Sequence, residues 1–224
     1  AEQLGCDALT ITGHEAAAHG ADATSLILIP IVASHAKVPL IAAGGFYNGR
    51  GLGAALALGA DGISMGTRFM MTKESMLHDN YKQLILKAPA WTDLYSTAFD
   101  GMPGRALKTK GAAAMMKGHF PLIEAIKGAR EIKQILNLSY REFIRLGFQM
   151  MTAKEDSSPL WVLARFAAGA RRHLMSIHDG NLEEGILFAG QCCGGIDDVP
   201  TCQELIDRVI AEAAQALKTT TEKQ

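Results

Sequence analysis

No stretch of this sequence approaches the ~20 consecutive apolar residues that a bilayer-crossing helix requires, and no basic segment followed by an apolar one opens it. A spanning protein is therefore not expected; the expected cytoplasmic setting rests on the cysteines. An excess of charge of one sign is also missing. Lys and Arg number 22 against 23 Asp and Glu, a formal net charge of -1, so no surface for nucleic acid or anionic lipid is expected. Cysteine is scarce and poorly placed for bridging: Cys192 and Cys193 are adjacent, and Cys6 and Cys202 stand apart. No Cys-x-x-Cys or His-x-x-x-His spacing offers a metal site. The thiols read as small core or loop residues in a reducing compartment, and no metal is expected. Strand signals are few as well. Three occur, at about residues 8–12, 39–43 and 62–65, all before residue 70.

What is present suits a compact domain. Of 224 residues, 48% are hydrophobic and 20% charged, enough for one sizeable core and a smaller helical subdomain. The segment Leu4-Gly5-Cys6-Asp7-Ala8-Leu9-Thr10-Ile11-Thr12-Gly13 repeats in Leu58-Gly59-Ala60-Asp61-Gly62-Ile63-Ser64-Met65-Gly66. In each copy a helix ends on a left-handed glycine, an aspartate starts a turn, and a short strand runs to another glycine. Residue 1 is accordingly expected inside a helix. A closed (β/α)8 barrel needs eight strands and about 250 residues. The three strands are therefore expected to be the C-terminal part of such a barrel, with the Ala8 to Thr12 strand at an unpaired edge that favours association into a homo-oligomer.

The strand Pro39-Leu40-Ile41-Ala42-Ala43 ends in Gly44-Gly45 and leads through Asn48-Gly49-Arg50-Gly51 into an Ala/Leu-rich helix expected over Leu52 to Leu58. The next strand ends in Gly66-Thr67. Bare N–H groups at such turns and at helix N-termini receive phosphate, and the turns after the last two strands of a (β/α)8 barrel are a recurrent place for it. A parallel βα pair with tight turns is the plainer alternative. After Phe69 the pattern becomes helical: Ser75 to Lys87, Pro121 to Leu136, Tyr140 to Met151 and Leu160 to Met175, broken by Gly111, Gly118, the Lys154 to Pro159 loop and Asp179-Gly180-Asn181. Thr201-Cys202-Gln203-Glu204 is a capping-box pattern opening a last helix through Leu217, before a polar tail from Thr219 to Gln224. Phe148, Met150, Met151, Trp91, Trp161, Met115 and Met116 either line an adaptable apolar pocket or are plain core.

The loop after the first strand, Gly13-His14-Glu15-Ala16-Ala17-Ala18-His19-Gly20, leaves the same face as the two glycine turns. An imidazole there can move a proton near neutral pH. Equally, His14 or His19 can be a loop residue bonded to backbone, and Glu15 a salt-bridge partner or a charge at a helix N-terminus.

Four blocks carry a resemblance: Gly13-x-Glu15-Ala16-x-x-His19-Gly20; Pro39-x-Ile41-Ala42-Ala43-Gly44-Gly45; Gly59-Ala60-Asp61-Gly62; and Met65-Gly66-Thr67-Arg68-Phe69 with Glu74-Ser75. In order and spacing they resemble the nitronate monooxygenases, formerly 2-nitropropane dioxygenases. Phe188-Ala189-Gly190-Gln191 and Gly194-Gly195-Ile196-Asp197-Asp198 extend the likeness. The resemblance implies an FMN-dependent α/β TIM barrel with a mainly helical cap: a partial barrel over residues 1–75, the cap over 76–180, and a loop and helix over 181–224 packing back on the barrel. It implies that Ala43, Gly44, Gly45, Gly66 and Thr67 hold the FMN phosphate, with His19 as catalytic base or electrostatic partner. The implied reaction is oxidation of a nitronate or nitroalkane by O2. Ala17-Ala18 departs from the Gly-Gly that the family usually carries before the histidine. Enoyl-thioester reductases of this fold share the Glu-Ala-x-x-His block and both turns, so an NAD(P)H-dependent flavin reductase of quinones or enoyl thioesters is an alternative, as is a non-catalytic relative.

Overall fold

The structure, a computed structural model, describes residues 1–17, 19–20, 22–89, 93–117, 122–152 and 160–222. The chain divides into two compact units. The first comprises Ala1–Leu77, Lys82–Asp93 and Ala189–Gln224; the second comprises His78–Tyr81 and Leu94–Phe188.

The first unit is built on a parallel sheet of three strands in sequence order, β1 (Leu9–Thr12), β2 (Leu40–Ala43) and β3 (Gly62–Ser64). Leu9 faces Leu40 in register, and Ala43 faces Ser64. The crossovers are α1 (Ser25–Ala33) and α2 (Gly49–Ala57). Small side chains let these helices lie close to the sheet: Ala42, Ala55 and Ala60 are buried with Ile29, and Ile11, Phe46, Leu58 and Ile63 pack around them. The repeated helix ends have the expected geometry. Gly5 and Gly59 are left-handed, with φ 77° and 98°, and the Asp61 carboxylate accepts the Leu40 N–H at 2.8 Å, tying the entry of β3 to that of β2. A short 3-10 turn over Glu2–Leu4 precedes Gly5.

Several helix bounds differ from expectation for local reasons. Helix α2 begins at Gly49 and not Leu52, because the Asn48 side chain caps it by accepting from Gly51 N–H. After the four-residue α3 (Thr67–Met70), α4 (Asp79–Leu86) starts four residues later than expected. The carbonyls of Thr72 and Ser75 are occupied by the Lys82 ammonium, at 2.9 and 3.1 Å, which holds that segment as a loop.

The region after residue 75 is not purely helical. Strands β4 (Asp93–Ser96) and β5 (Gly104–Leu107) form a second, two-stranded sheet. All four residues of β5 are buried, so the run lacks the two-residue alternation that marks a half-exposed strand. Helix α5 (Lys110–Met116) follows, capped by Thr109. Gly111 does not break it. A Cβ there would meet the Glu184 carbonyl oxygen at 2.5 Å, so this glycine marks a close approach. Then come α6 (Leu122–Ile135), α7 (Tyr140–Thr152) and α8 (Leu160–Ile177), near their expected bounds. Gly128 of α6 sits directly on the Ala167 carbonyl of α8, with no room for a Cβ. The core of this second unit joins Phe99, Ala106, Ala112, Met115 and Ile186. An apolar cavity of about 670 Å³ opens between α6, α7 and α8, with Phe143, Leu146, Met150 and Trp161 in its wall. Of the residues weighed as pocket or core, Met150 and Trp161 line this cavity, Met115 is core, and Phe148 is exposed. Trp91, Gly118, Pro121 and the Lys154 to Pro159 loop lie outside the described residues.

A 3-10 turn over Gln191–Gly195 leads to α9 (Cys202–Thr221). Its capping box is formed in both directions by Thr201 and Glu204, and the helix runs past Leu217 to Thr221, so the residues from Thr219 to Thr221 are helix and not tail. Helix α9 lies along α2, where a Cβ on Gly49 would collide with the Val209 carbonyl. Among the described residues, no helix is long and apolar enough to cross a membrane. No group of His, Cys, Asp and Glu among them is arranged to hold a metal.

Candidate functional site

Three loops leave the same edge of the parallel sheet: residues 13–24 after β1, Gly44-Gly45 after β2, and Met65-Gly66 after β3. Register places them level. Ala43 pairs with Ser64, so Gly45 and Gly66 stand two residues beyond the sheet on neighbouring strands, which in a regular sheet run about 4.8 Å apart. Ala43 ends β2, and its carbonyl accepts from Gly13 N–H at 2.9 Å, carrying the ladder one residue further.

Both glycines of the first turn are left-handed, Gly44 at φ 102° and Gly45 at φ 82°. A Cβ on Gly44 would lie 2.9 Å from the Gly13 carbonyl oxygen, and one on Gly45 would lie 3.1 Å from the Glu15 Cβ. Gly66 is different: its φ is -85° and nothing lies within 4 Å of an added Cβ, so the space beside it is open. Gly66 is also the N-cap of α3. Among the described residues, none accepts a hydrogen bond from the N–H of Gly44, Gly45, Gly66 or Thr67. Such backbone donors, on turns that leave neighbouring strands with open space beside Gly66, suit an anion, and so the residues present fit the phosphate of a flavin mononucleotide.

Two expected contributions are spent elsewhere. The N-terminus of α2 is filled from within the chain: Gly49 N–H donates to the Glu212 carboxylate at 2.8 Å and Gly51 N–H to Asn48 Oδ1 at 3.0 Å. A carboxylate stands where a phosphate would have to approach, so that helix end is no part of the cradle. The Thr67 hydroxyl, buried, accepts from Gly190 N–H at 2.9 Å and bears on the Cys192 thiol. What Thr67 offers a ligand is its backbone N–H. Arg68 is likewise turned inward. Its guanidinium pairs with Asp198 and donates to the Asp198 carbonyl at 3.1 Å, leaving the side chain 4% exposed. Burial opposes ionisation of Asp198, but hydrogen bonds from Arg208 and Arg68 outweigh it and hold the carboxyl below its ordinary value. Burial pushes the Cys192 thiol up to about 11 and the Cys193 thiol higher still, so neither is a ready nucleophile.

The loop carrying the histidines is pinned at both ends. His14 N–H donates to the Ala23 carbonyl at 2.9 Å, and Gly20 packs so closely on the Gly13 carbonyl that a Cβ would lie 2.8 Å from it. His19 sits between these pins, exposed and left-handed at φ 54°. His14 is half-buried. Glu15 takes the second of its two anticipated roles, a charge at a helix N-terminus. Its carboxylate accepts the Ser25 N–H at 3.0 and 3.1 Å and meets the Ser25 hydroxyl at 3.0 Å. The Glu15 carbonyl accepts Gln191 N–H at 3.0 Å. Glu15, Gly190 and Gln191 thus link the histidine loop to the second glycine turn, and Ser25 links it to the first through a 3.0 Å contact with the Gly44 carbonyl. Ser25 is not among the expected site residues; the signal for it is its place just after Thr24 at the start of an apolar helix.

The chain matches the family profile described as nitronate monooxygenase over residues 1–212. It belongs to the nitronate monooxygenase family. Among curated relatives, two proteins named (3aS,4S,5R,7aS)-5-hydroxy-7a-methyl-1-oxo-octahydro-1H-indene-4-carboxyl-CoA dehydrogenase are each 35% identical. The one from Rhodococcus jostii matches 95% of this chain and 60% of its own length, and the one from Mycobacterium tuberculosis 96% and 61%. The chain thus spans about 60% of the length of these relatives. A probable nitronate monooxygenase of Bacillus subtilis is 38% identical over 49% of this chain and 34% of its own length. Among solved structures, FabK (M276A) from Thermotoga maritima aligns with all of this chain and 58% of its own, at a TM-score of 0.73 and 26% identity. Nitroalkane oxidase from Streptomyces ansochromogenes aligns with 98% of this chain and 55% of its own, at a TM-score of 0.65 and 22% identity, a likeness of fold.

Proposed function

We propose that this protein is an FMN-dependent oxidoreductase of an apolar acyl-CoA thioester, and that its three parallel strands are the last strands of a TIM barrel. The observation that carries the substrate class is the extent of the match to the two carboxyl-CoA dehydrogenases. It runs over 95% and 96% of the chain, against 49% for the probable nitronate monooxygenase of Bacillus subtilis. The helices of the second unit, where substrate specificity in such a fold would be set, fall largely within the longer match. The apolar cavity between α6, α7 and α8 is in keeping with a bulky apolar acyl group.

In this reading Gly44, Gly45, Gly66 and Thr67 hold the FMN phosphate through backbone N–H groups, and Ala43, the last residue of β2, leads into the cradle. Bound FMN would supply the two-electron acceptor that no side chain of this chain provides. The chain's own part is to bind, to orient and to move a proton. The left-handed turn presents donors without a competing side chain. The pairing of the buried Arg68 with the partly exposed Asp198 fixes the base of α3, and His19, exposed at the sheet edge from which the turns also leave, is the group proposed to take a proton from a substrate carbon.

A second reading, oxidation of a nitronate or nitroalkane by O2, is favoured by the family profile itself. One experiment separates them. FMN-loaded full-length protein is mixed anaerobically with 5-hydroxy-7a-methyl-1-oxo-octahydroindene-4-carboxyl-CoA, with propyl-2-nitronate, or with NAD(P)H, and the flavin absorbance is followed. Bleaching by the thioester supports the proposal. Bleaching by the nitronate alone overturns it in favour of the second reading, and bleaching by NAD(P)H alone points to a flavin reductase. A protein that stays colourless after FMN addition is a non-catalytic relative.

A further inference from the structure

We propose that Ser25 is a positioning residue whose hydroxyl holds the Gly44–Gly45 peptide so that the Gly45 N–H faces a flavin phosphate. The inference rests on the phosphate reading of the glycine turns. Ser25 is the first residue of α1 and buried. Its Oγ lies 3.0 Å from the Gly44 carbonyl oxygen and 3.0 Å from Glu15 Oε2. A trans peptide is planar, so the Gly44 carbonyl and the Gly45 N–H point in opposite directions. Anchoring the carbonyl on Ser25 therefore aims the N–H away from Ser25. The anchor matters because glycine flanks this peptide on both sides, at φ 102° and 82°, and glycine leaves such a peptide free to turn over at little cost. Turned over, it would present a carbonyl oxygen to the anion.

Glu15 sets Ser25 in turn. Thr24, the N-cap of α1, makes no side-chain cap bond. The Glu15 carboxylate supplies the cap from ten residues upstream by taking the Ser25 N–H on both oxygens. There its charge faces the positive end of a helix. The single hydroxyl proton of Ser25 is divided between this carboxylate and the Gly44 carbonyl. In Glu15→Gln, the amide oxygen still takes the Ser25 N–H, and a neutral amide competes less for the hydroxyl proton, which leaves the Gly44 anchor intact.

The test is the ratio of FMN to riboflavin affinity, since riboflavin lacks only the phosphate. Dissociation constants are measured by quenching of flavin fluorescence on full-length protein. Ser25→Ala is expected to weaken FMN binding about five- to tenfold, the worth of one net hydrogen bond, and to leave riboflavin unchanged. Ser25→Thr restores the ratio, and Glu15→Gln keeps it. Should Ser25→Ala not fold, Ser25→Cys keeps the volume with a weak donor and is expected to lower the ratio in the same direction. If wild type prefers FMN and the Ser25 variants keep the full preference, the positioning role is overturned while the phosphate site stands. Equal weakening of both flavins overturns it too, as a merely structural effect. A wild type that binds both flavins equally overturns the phosphate reading itself, and this proposal with it.

Discussion

Gly45→Val tests the cradle at the point where its geometry is most demanding. The backbone at Gly45 has φ 82°, and a side chain in the left-handed region costs about 1–2 kcal/mol, more for a β-branched one. The new Cβ would also stand 3.1 Å from the Glu15 Cβ, which must yield by a few tenths of an ångström. Glu15 has little freedom to yield, because its carboxylate is held by Ser25 and its carbonyl by Gln191. Crowding of that kind adds about 1–3 kcal/mol. The sum, about 2–5 kcal/mol, is a large part of the 5–15 kcal/mol that keeps a domain folded. Relief comes from turning the Gly44–Gly45 peptide over or from displacing the histidine loop, and both remove the Gly45 N–H from the phosphate. Urea unfolding should therefore show the loss of stability, and FMN titration at low temperature, where the variant is still folded, should show affinity reduced at least tenfold. Gly45→Ala should fall between wild type and valine in both measurements. A folded Gly45→Val with unchanged FMN affinity would refute the assignment of this turn to the phosphate.

Gly66→Ala makes the complementary case: with φ -85° and nothing within 4 Å of the new methyl, stability should change by no more than about 0.5 kcal/mol, while FMN titration should weaken if that open space is where the phosphate sits. His19→Asn keeps a residue type that tolerates the left-handed φ of 54°; steady-state turnover should fall ~100-fold to 10,000-fold for a substrate whose proton must be removed, with a preformed nitronate much less affected, and equal rates alongside an inactive His14→Asn would reassign the base. Asp198 has a folded pKa below its ordinary 3.8, so its contribution is present above that value and lost as pH falls through the folded one. Denaturation curves of wild type and Asp198→Asn should therefore differ near pH 7, by about 1 kcal/mol given the carboxylate's partial exposure, and the difference should shrink as pH falls below 3.8 and through the folded value. Thr201→Ala, which deletes one half of the capping box of α9, should cost about 1 kcal/mol in the same assay.

The sheet was legible because its signals are local. Gly5 and Gly59 sit where a helix end needs φ near 77° and 98°, and a Gly-x-Asp unit written twice announces two equivalent strand entries. What failed to show were elements whose cause is tertiary. β5 is buried on both faces, so no alternation survives to mark it. Helix α5 contains Gly111, which reads as a breaker until the Glu184 carbonyl is seen against it. Helix α1, Ser25-Leu26-Ile27-Leu28-Ile29-Pro30, is apolar on every side and carries a proline in its interior, so neither an amphipathic rhythm nor a clean helix composition distinguishes it.

At the candidate site the same division holds between backbone and side chain. Gly44 and Gly45 could be picked out because their conformation excludes other residues, a property of the residue itself. Thr67 and Arg68 could not be placed from sequence. Each adjoins a phosphate-type turn and carries a group that binds phosphate, yet Thr67 spends its hydroxyl on Gly190, 123 residues away, and Arg68 its guanidinium on Asp198, 130 residues away. With Arg68 paired and the Thr67 hydroxyl buried beneath Gly190, the cradle is left chiefly to N–H groups. The donors at the two turns are then mainly backbone dipoles, whose aim depends on peptide orientation and not on rotamer. Control of that orientation passes to whatever grips the opposite end of each peptide, which at Gly44–Gly45 is the hydroxyl of Ser25.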